Sequence, residues 1–213
     1  PLQELQATLA QAGQALAFEP PHFALGDKQP TVGGMVAAGW SGPARASSGA
    51  VRDFVLGVEI INGRGELLRY GGQVMKNVAG YDVSRLMAGS WGTLGVITEV
   101  SLKVLPVAPA QATLVFAMDE AQALEALNRW GGQPLPLNAS CWAQGQLWLR
   151  LSGARAAVEA AAGKLGGTVV AEADSLWQSV REQTHPAFAG GILWRLALPV
   201  SLQSMMFSLL GLI

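Results

Sequence analysis

The sequence predicts an α+β protein of two units, and three patterns carry this prediction. Two β-rich runs, Phe54–Ile61 and Glu66–Tyr70, are separated by Asn62-Gly63-Arg64-Gly65, which is a strong signal for a β-hairpin. After Pro106 the pattern becomes strand, helix, strand, strand, helix, strand, which is the order of a ferredoxin-like sandwich. A glycine-rich segment, 26–49, precedes the hairpin and differs in composition from both units.

The other elements of the first unit follow from local patterns. A helix is predicted for Leu2–Ala12 and a short strand for Ala15–Phe18. One or two helical turns are predicted for Val83–Ala88, and a half-buried strand for Val96–Leu105. The last assignment is the clearest because Val100, Leu102 and Val104 alternate with polar or charged residues. Pro106 is expected to end that strand.

In the second unit the elements are spaced as short strands and longer amphipathic helices. The predicted strands are Ala112–Ala117, Leu137–Trp142, Leu147–Leu151 and Thr168–Ala171, and the predicted helices are Glu120–Trp130 and Ala154–Leu165. The second helix is rich in alanine, and Gly166-Gly167 provides a natural C-terminal stop.

Composition excludes several classes of protein. Charged residues make up 14% of the 213 residues and the net charge is −1, so no basic footprint for nucleic acid or anionic lipid is present. A single cysteine, Cys141, excludes an internal disulfide framework and a cysteine-ligated zinc or iron–sulfur site built from this chain alone. Leu196–Ile213 is uncharged but contains Pro199 and several polar residues, which favours a truncated core element over a membrane span.

The common catalytic templates do not match. The chain has no dinucleotide fingerprint after a strand and no phosphate-binding P-loop, and Ser90 misses the nucleophile-elbow pattern by one glycine. His22 and His185 do not have metal-ligand spacing, so His22 is interpreted as a loop or packing residue. Cys141 is interpreted as a small buried hydrophobe.

Two glycine clusters remain as candidates for a binding site. One runs from Thr31-Val32-Gly33-Gly34 to Ser41-Gly42, and the other is Gly89-Ser90-Trp91-Gly92-Thr93-Leu94-Gly95. Glycine-rich loops can aim successive backbone N–H groups at a phosphate without requiring basic side chains. Tight turns between strands are the alternative explanation. Because the clusters flank one hairpin and contain hydroxyl side chains, we favour a bound pyrophosphate.

These motifs resemble the vanillyl-alcohol-oxidase-type (PCMH-type) FAD-binding domain. Within that family, Glu19-Pro20-Pro21-His22, Lys76-Asn77-Val78-Ala79-Gly80-Tyr81-Asp82 and Ile192-Leu193-Trp194-Arg195 resemble the FAD-binding E subunits of bacterial glycolate oxidase, also called glycolate dehydrogenase. The resemblance implies a PCMH-type FAD-binding domain over 1–108, incomplete and corresponding to its second lobe. It also implies that 109–213 forms a partial ferredoxin-like α+β cap domain.

The resemblance also implies how individual residues are used. The expected FAD-binding residues are Thr31, Val32, Gly33, Gly34, Ala38, Ser41, Gly42, Gly49, Gly92 and Ile97. Gly92 and Ile97 would meet the adenosine half, and Gly49 would lie near the flavin. Asp53, Asn77 and Asp82 are expected to brace the loops, whereas Lys76 is expected to be solvated. No residue is assigned as catalytic base or as substrate clamp.

The implied function is oxidation of glycolate, or another small 2-hydroxy acid, to glyoxylate or the corresponding oxo acid. The expected cofactor is FAD, and the expected partners are a homologous FAD catalytic subunit and an iron–sulfur subunit. An alternative is a non-catalytic flavin-fold subunit that serves assembly of the same complex. The implied location is the cytoplasm, with association with the inner membrane through the complex. An earlier glycine-rich loop and the end of the cap domain are expected to lie outside this sequence.

Overall fold

The computed structural model of the chain describes residues 1–23, 29–74 and 80–189, and these form two units. Among these residues, one unit comprises 1–23, 29–74, 80–107 and 180–182, and the other comprises 108–179 and 183–189. Lys76, Asn77 and the segment Leu196–Ile213 lie outside the described residues. None of the helices in the described ranges is long and apolar enough to cross a membrane.

The first unit is built from short helices around small antiparallel sheets. Its elements are α1 (Leu2–Gln11), β1 (Gln14–Ala15), α2 (Val32–Ala38), α3 (Arg45–Ser48), β2 (Val55–Ile61), β3 (Leu67–Gly71), α4 (Val83–Leu86), β4 (Val96–Leu102) and β5 (Leu105–Pro106). The main sheet has the order β3-β2-β4, and β1 pairs with β5 in a separate two-stranded ladder. Both ladders of the main sheet are antiparallel.

The predicted hairpin is confirmed, and its turn has a clear local cause. β2 and β3 pair from Gly57↔Gly71 to Ile61↔Leu67. Within the turn, the Asn62 side-chain oxygen accepts hydrogen bonds from the backbone N–H groups of Arg64 (2.8 Å) and Glu66 (3.0 Å). This side-chain-to-backbone pattern is why asparagine favours turns at such positions.

The core of the first unit lies between the sheet and the helices. Val58 and Ile60 of β2 belong to the same buried cluster as Met35 and Val36 of α2, and Val100 and Leu102 of β4 pack on this cluster, as the alternation predicts. β1 is shorter than the predicted strand Ala15–Phe18, and within the described ranges it pairs with the two-residue strand β5. The predicted helical turn at 83–88 is confirmed as α4.

The glycine-rich segment is more regular than the sequence suggests. Rather than an extended loop, its middle forms α2, a helix that includes Gly33 and Gly34. Glycine lowers intrinsic helix propensity, so local sequence argues against this helix. Burial of Met35 and Val36 overrides that preference, and the Thr31 side chain caps the first turn.

The second unit confirms the predicted ferredoxin-like sandwich. Its elements are β6 (Ala110–Ala117), α5 (Glu120–Gly131), β7 (Leu137–Ala143), β8 (Gln146–Gly153), α6 (Arg155–Leu165), β9 (Thr168–Val170) and α7 (Asp174–Arg181). The sheet order is β7-β8-β6-β9, and every pair is antiparallel. This is the arrangement in which two split β-α-β units interleave.

The two faces of this sheet have different cores. On one face, Leu147, Leu149 and Leu151 of β8 pack against α5 and α6. On the other face, Trp177 of α7 packs with a cluster that includes Cys141 and Trp148. Cys141 is half-buried, and burial raises the pKa of its thiol, which agrees with its interpretation as a packing residue.

Candidate cofactor site

The beginning of α2 brings two of the predicted segments together. The Thr31 hydroxyl oxygen accepts a hydrogen bond of 3.0 Å from the Gly34 backbone N–H, so Thr31 is the N-cap of the helix. A Cβ atom on Gly33 would lie only 3.3 Å from the carbonyl oxygen of Ile97 on β4. The structure therefore places Thr31, Val32, Gly33 and Gly34 beside Ile97.

The end of α2 meets the second glycine cluster. The backbone N–H of Gly89 donates to the Val36 carbonyl at 3.1 Å, and that of Trp91 donates to the Ala37 carbonyl at 2.9 Å. A helix leaves its last carbonyl groups without intrahelical partners, and loop 89–92 supplies donors to them here. Ala38, in the last turn, and Gly92, directly after Trp91, are thus brought to one end of α2.

Both predicted parts of the cofactor site therefore gather along one short helix. Residues assigned to the pyrophosphate and those assigned to the adenosine half occur together, since Ile97 lies at the start of α2 and loop 89–92 at its end. Local sequence patterns do not predict this arrangement because it depends on contacts between segments about sixty residues apart.

Loop 89–92 has the features of a surface that a ligand could cover. The side-chain oxygen of Ser90 is buried and has no hydrogen-bond partner within the described ranges. A Cβ atom on Gly89 or Gly92 would meet no atom of the described part of the chain within 4 Å, so space is open above both residues there. A buried polar group without a partner is unfavourable, and a ligand oxygen or N–H group would satisfy it. These residues fit a bound dinucleotide.

Ser41 and Gly42 have internal roles that explain their residue types. The Ser41 hydroxyl is buried and accepts a hydrogen bond of 3.1 Å from the Val51 backbone N–H. A Cβ atom on Gly42 would lie 2.3 Å from the Glu19 carbonyl oxygen, so only glycine fits against that backbone. Their contact with a cofactor stays a prediction, and neither residue type requires it.

Gly49 lies in a small network of charged side chains. Its φ of +101° is a conformation that favours glycine. The Asp53 carboxylate accepts a hydrogen bond of 2.9 Å from the Ala50 backbone N–H and forms an ion pair with Arg85. Asp82 caps α4 by accepting from the Arg85 backbone N–H at 3.1 Å. The expected bracing roles of Asp53 and Asp82 are confirmed.

Sequence reasoning missed the role of Glu182. Its carboxylate accepts hydrogen bonds from the backbone N–H groups of His22 (2.8 Å) and Phe23 (3.1 Å) and from the Arg181 guanidinium (2.7 Å). The His22 ring nitrogen Nε2 lies 2.7 Å from the Gln6 side-chain oxygen, which supports the interpretation of His22 as a packing residue. No local signal at Glu182 reveals this role, because the backbone N–H groups of His22 and Phe23 lie about 160 residues earlier in the chain.

Acid is expected to weaken the Glu182 contacts. Burial alone would raise the pKa of this carboxyl, but hydrogen bonds from Arg181, Phe23 and His22 outweigh burial and hold it below its ordinary value of 4.5. The carboxylate therefore stabilises the fold above pH 4.5, and this contribution is lost as the pH falls through the lowered pKa. Thermal unfolding between pH 3 and 7 should show Glu182→Gln less stable near neutrality and the difference shrinking in acid.

Glu159→Gln, on the exposed face of α6, is the control for loss of a surface carboxylate. A stability difference for Glu182→Gln that stayed constant down to pH 3 would contradict the assigned role of the Glu182 charge.

A family model and several known proteins resemble this chain or part of it. Residues 1–71 match the family model described as FAD binding domain. Over 200 residues the chain is 50% identical to glycolate oxidase subunit GlcE of Escherichia coli K12, covering 93% of this chain and 56% of that protein. It is also 40% identical over 85 residues to glycolate oxidase subunit GlcD of Bacillus subtilis, covering 40% of this chain and 18% of that protein.

Solved structures show the same fold at low sequence identity. An alkyldihydroxyacetonephosphate synthase superimposes with a TM-score of 0.63 and 18% identity, covering 85% of this chain and 40% of that one. The matched segment is an FAD-binding domain of the PCMH-type fold, and its cofactor is FAD. The fold class and cofactor predicted from sequence are thereby confirmed. The chain spans about half the length of the GlcE relative.

Proposed function

We propose that this chain is the FAD-binding part of a subunit of a glycolate dehydrogenase complex. The observation that carries the proposal is the 50% identity to GlcE, which extends through both units. Its other relatives include a D-lactate dehydrogenase of Anaerostipes hadrus, which is 40% identical over 91 residues covering 43% of this chain and 19% of that protein. Small 2-hydroxy acids are therefore the substrate class that we favour.

In this proposal residues 1–108 hold the cofactor through backbone and hydroxyl groups. The ten FAD-binding residues named from the sequence keep that role, with α2 and loop 89–92 as the principal contacts. Because glycines leave the backbone accessible, N–H groups can approach a pyrophosphate without a basic side chain. The backbone N–H of Gly34 already donates to the Thr31 hydroxyl, so this one amide is not among the N–H groups available to the pyrophosphate. Residues 109–213 form the cap.

When bound, FAD supplies the redox chemistry by accepting a hydride from the carbon that carries the hydroxyl group, while that hydroxyl loses its proton and becomes a carbonyl. Glycolate would give glyoxylate. Electrons would then pass to an iron–sulfur partner subunit. A homologous FAD subunit, corresponding to GlcD, would complete the complex.

FAD retention tests the cofactor part of this proposal. The purified chain is incubated with FAD, passed through gel filtration and examined by visible absorption. Gly92→Val is expected to weaken FAD affinity by about tenfold or more, a loss of at least ~1.4 kcal/mol, because its side chain would fill the open surface of loop 89–92. Far-UV circular dichroism should be unchanged.

Gly145→Val provides a matched control. Gly145 has a φ of +76°, close to the +75° of Gly92, and open space for a Cβ, but it lies in the β7–β8 turn of the second unit. Both variants therefore carry similar backbone strain, and only one faces the proposed cofactor surface. Equal FAD affinity for the two variants would contradict this site.

Anaerobic addition of glycolate to the FAD-loaded chain tests the catalytic part. Bleaching of the flavin absorption without partner subunits supports substrate oxidation by this subunit. Retained FAD that bleaches only after the homologous FAD subunit is added favours the assembly role.

A further inference from the structure

Trp91 is an exposed aromatic side chain on a firmly held backbone. The residue as a whole is 67% exposed, whereas its backbone N–H donates to the Ala37 carbonyl at 2.9 Å. Its φ is +53°, a left-handed conformation that is uncommon for bulky residues. Strain of this kind persists only where surrounding contacts impose it. The loop thus presents a large aromatic side chain to solvent from a backbone that is held in place by this hydrogen bond.

The residues beside Trp91 provide independent signs of a ligand. Among the described residues, the buried side-chain oxygen of Ser90 has no hydrogen-bond partner, and Gly89 and Gly92 leave open space on either side. A ring, an unsatisfied hydroxyl and two open glycines therefore occur within four consecutive residues. The ring suits a flat apolar group, and the hydroxyl suits a polar group attached to it.

We propose that Trp91 stacks on the adenine ring of FAD and that the Ser90 hydroxyl bonds the adjoining ribose or phosphate. This inference rests on the proposed function, since it requires that the chain bind FAD. Tryptophan stacks well on nucleobases because both have extended π-faces. Of the two rings in FAD, adenine takes no part in the reaction and tolerates an exposed site, whereas the reacting ring needs protection from water.

Trp91→Asn removes the ring while keeping a residue that tolerates a positive φ. We expect this variant to bind FAD about tenfold to a hundredfold more weakly, in line with the loss of one base stack. Trp91→Phe keeps a stacking ring and is the matched control, with FAD affinity within about threefold of the parent. Thermal midpoints of the three proteins should agree, which separates loss of stacking from loss of fold.

Half-cofactors show which ring is involved. FAD affinity is measured by titration calorimetry, and ADP and FMN are added as competitors. ADP should compete with FAD for the parent chain and compete less well for Trp91→Asn, whereas competition by FMN should not change. Failure of ADP to compete with the parent, or an effect of the variant on FMN alone, would overturn the adenine assignment.

The same titrations separate the inference from the proposed function. Equal FAD affinity for Trp91→Asn and the parent would refute the role of Trp91 and leave FAD binding intact. Absence of FAD binding by the parent chain would refute both.

Discussion

Replacing Gly42 with alanine is expected to destabilise the first unit by about 2–3 kcal/mol, the upper part of the range for overpacking a dense interior. The new Cβ atom would lie 2.3 Å from the Glu19 carbonyl oxygen and 2.9 Å from the Glu19 Cβ atom. The segment cannot retreat easily, because the Gly42 backbone N–H donates to the Phe18 carbonyl at 2.9 Å. Phe18 itself is fully buried, with its ring centroid 5.2 Å from that of Phe54.

The free energy of unfolding from a denaturant titration measures this effect. Gly63→Ala is the control, since a Cβ atom on Gly63 in the hairpin turn would meet nothing within 4 Å and its φ is not in the positive range. We expect Gly63→Ala to remain within about 0.5 kcal/mol of the parent. A Gly42→Ala variant as stable as Gly63→Ala would show that the Glu19 backbone yields and that packing does not require this glycine.

The contrast between Gly42 and Gly92 shows what sequence alone could establish about the site. Both residues are glycines in clusters with hydroxyl side chains, and the same phosphate-binding interpretation applied to both. In the structure Gly42 is pressed against the Glu19 backbone, whereas Gly92 has open space. The difference depends on distances between segments that are far apart in sequence, so no local pattern could separate them. For the same reason, Trp91 and Ser90 are recognised only from the structure, which shows the exposure of Trp91 and the buried side-chain oxygen of Ser90.

The fold was more predictable than the site because most of its elements have local causes. The Asn62 side chain fixes the hairpin turn, and alternation along β4 identifies its buried face. α2 was missed as a helix because glycine propensity argued against it, and burial of Met35 and Val36 decided the outcome. Local sequence patterns predict an element best where the conformational preference of its residues and their tertiary packing favour the same structure.

α7 was not predicted either, and its packing leads to the second large effect. Trp177→Ala is expected to destabilise the second unit by about 3–5 kcal/mol, the usual range for truncating a buried aromatic side chain to alanine. Trp177 is only 4% exposed, and its indole N–H donates to the Thr113 hydroxyl at 2.9 Å. The Arg150 guanidinium lies 4.9 Å from the centre of its ring. Removal would leave a cavity beside two buried polar groups.

Trp177→Phe separates these contributions, because it keeps an aromatic ring for packing and for Arg150 but cannot donate to Thr113. We expect a loss of about 1–2 kcal/mol for this variant, comparable to leaving one buried hydroxyl without its donor. Thr113→Val in the Trp177→Phe background should recover part of that loss, since the unpaired hydroxyl is then removed as well. Chemical denaturation of the parent, Trp177→Phe, Thr113→Val and the double variant measures the coupling between the two residues. If Trp177→Ala cost no more than Trp177→Phe, the hydrogen bond rather than the buried ring would hold α7 on the sheet, because the cavity would then contribute nothing.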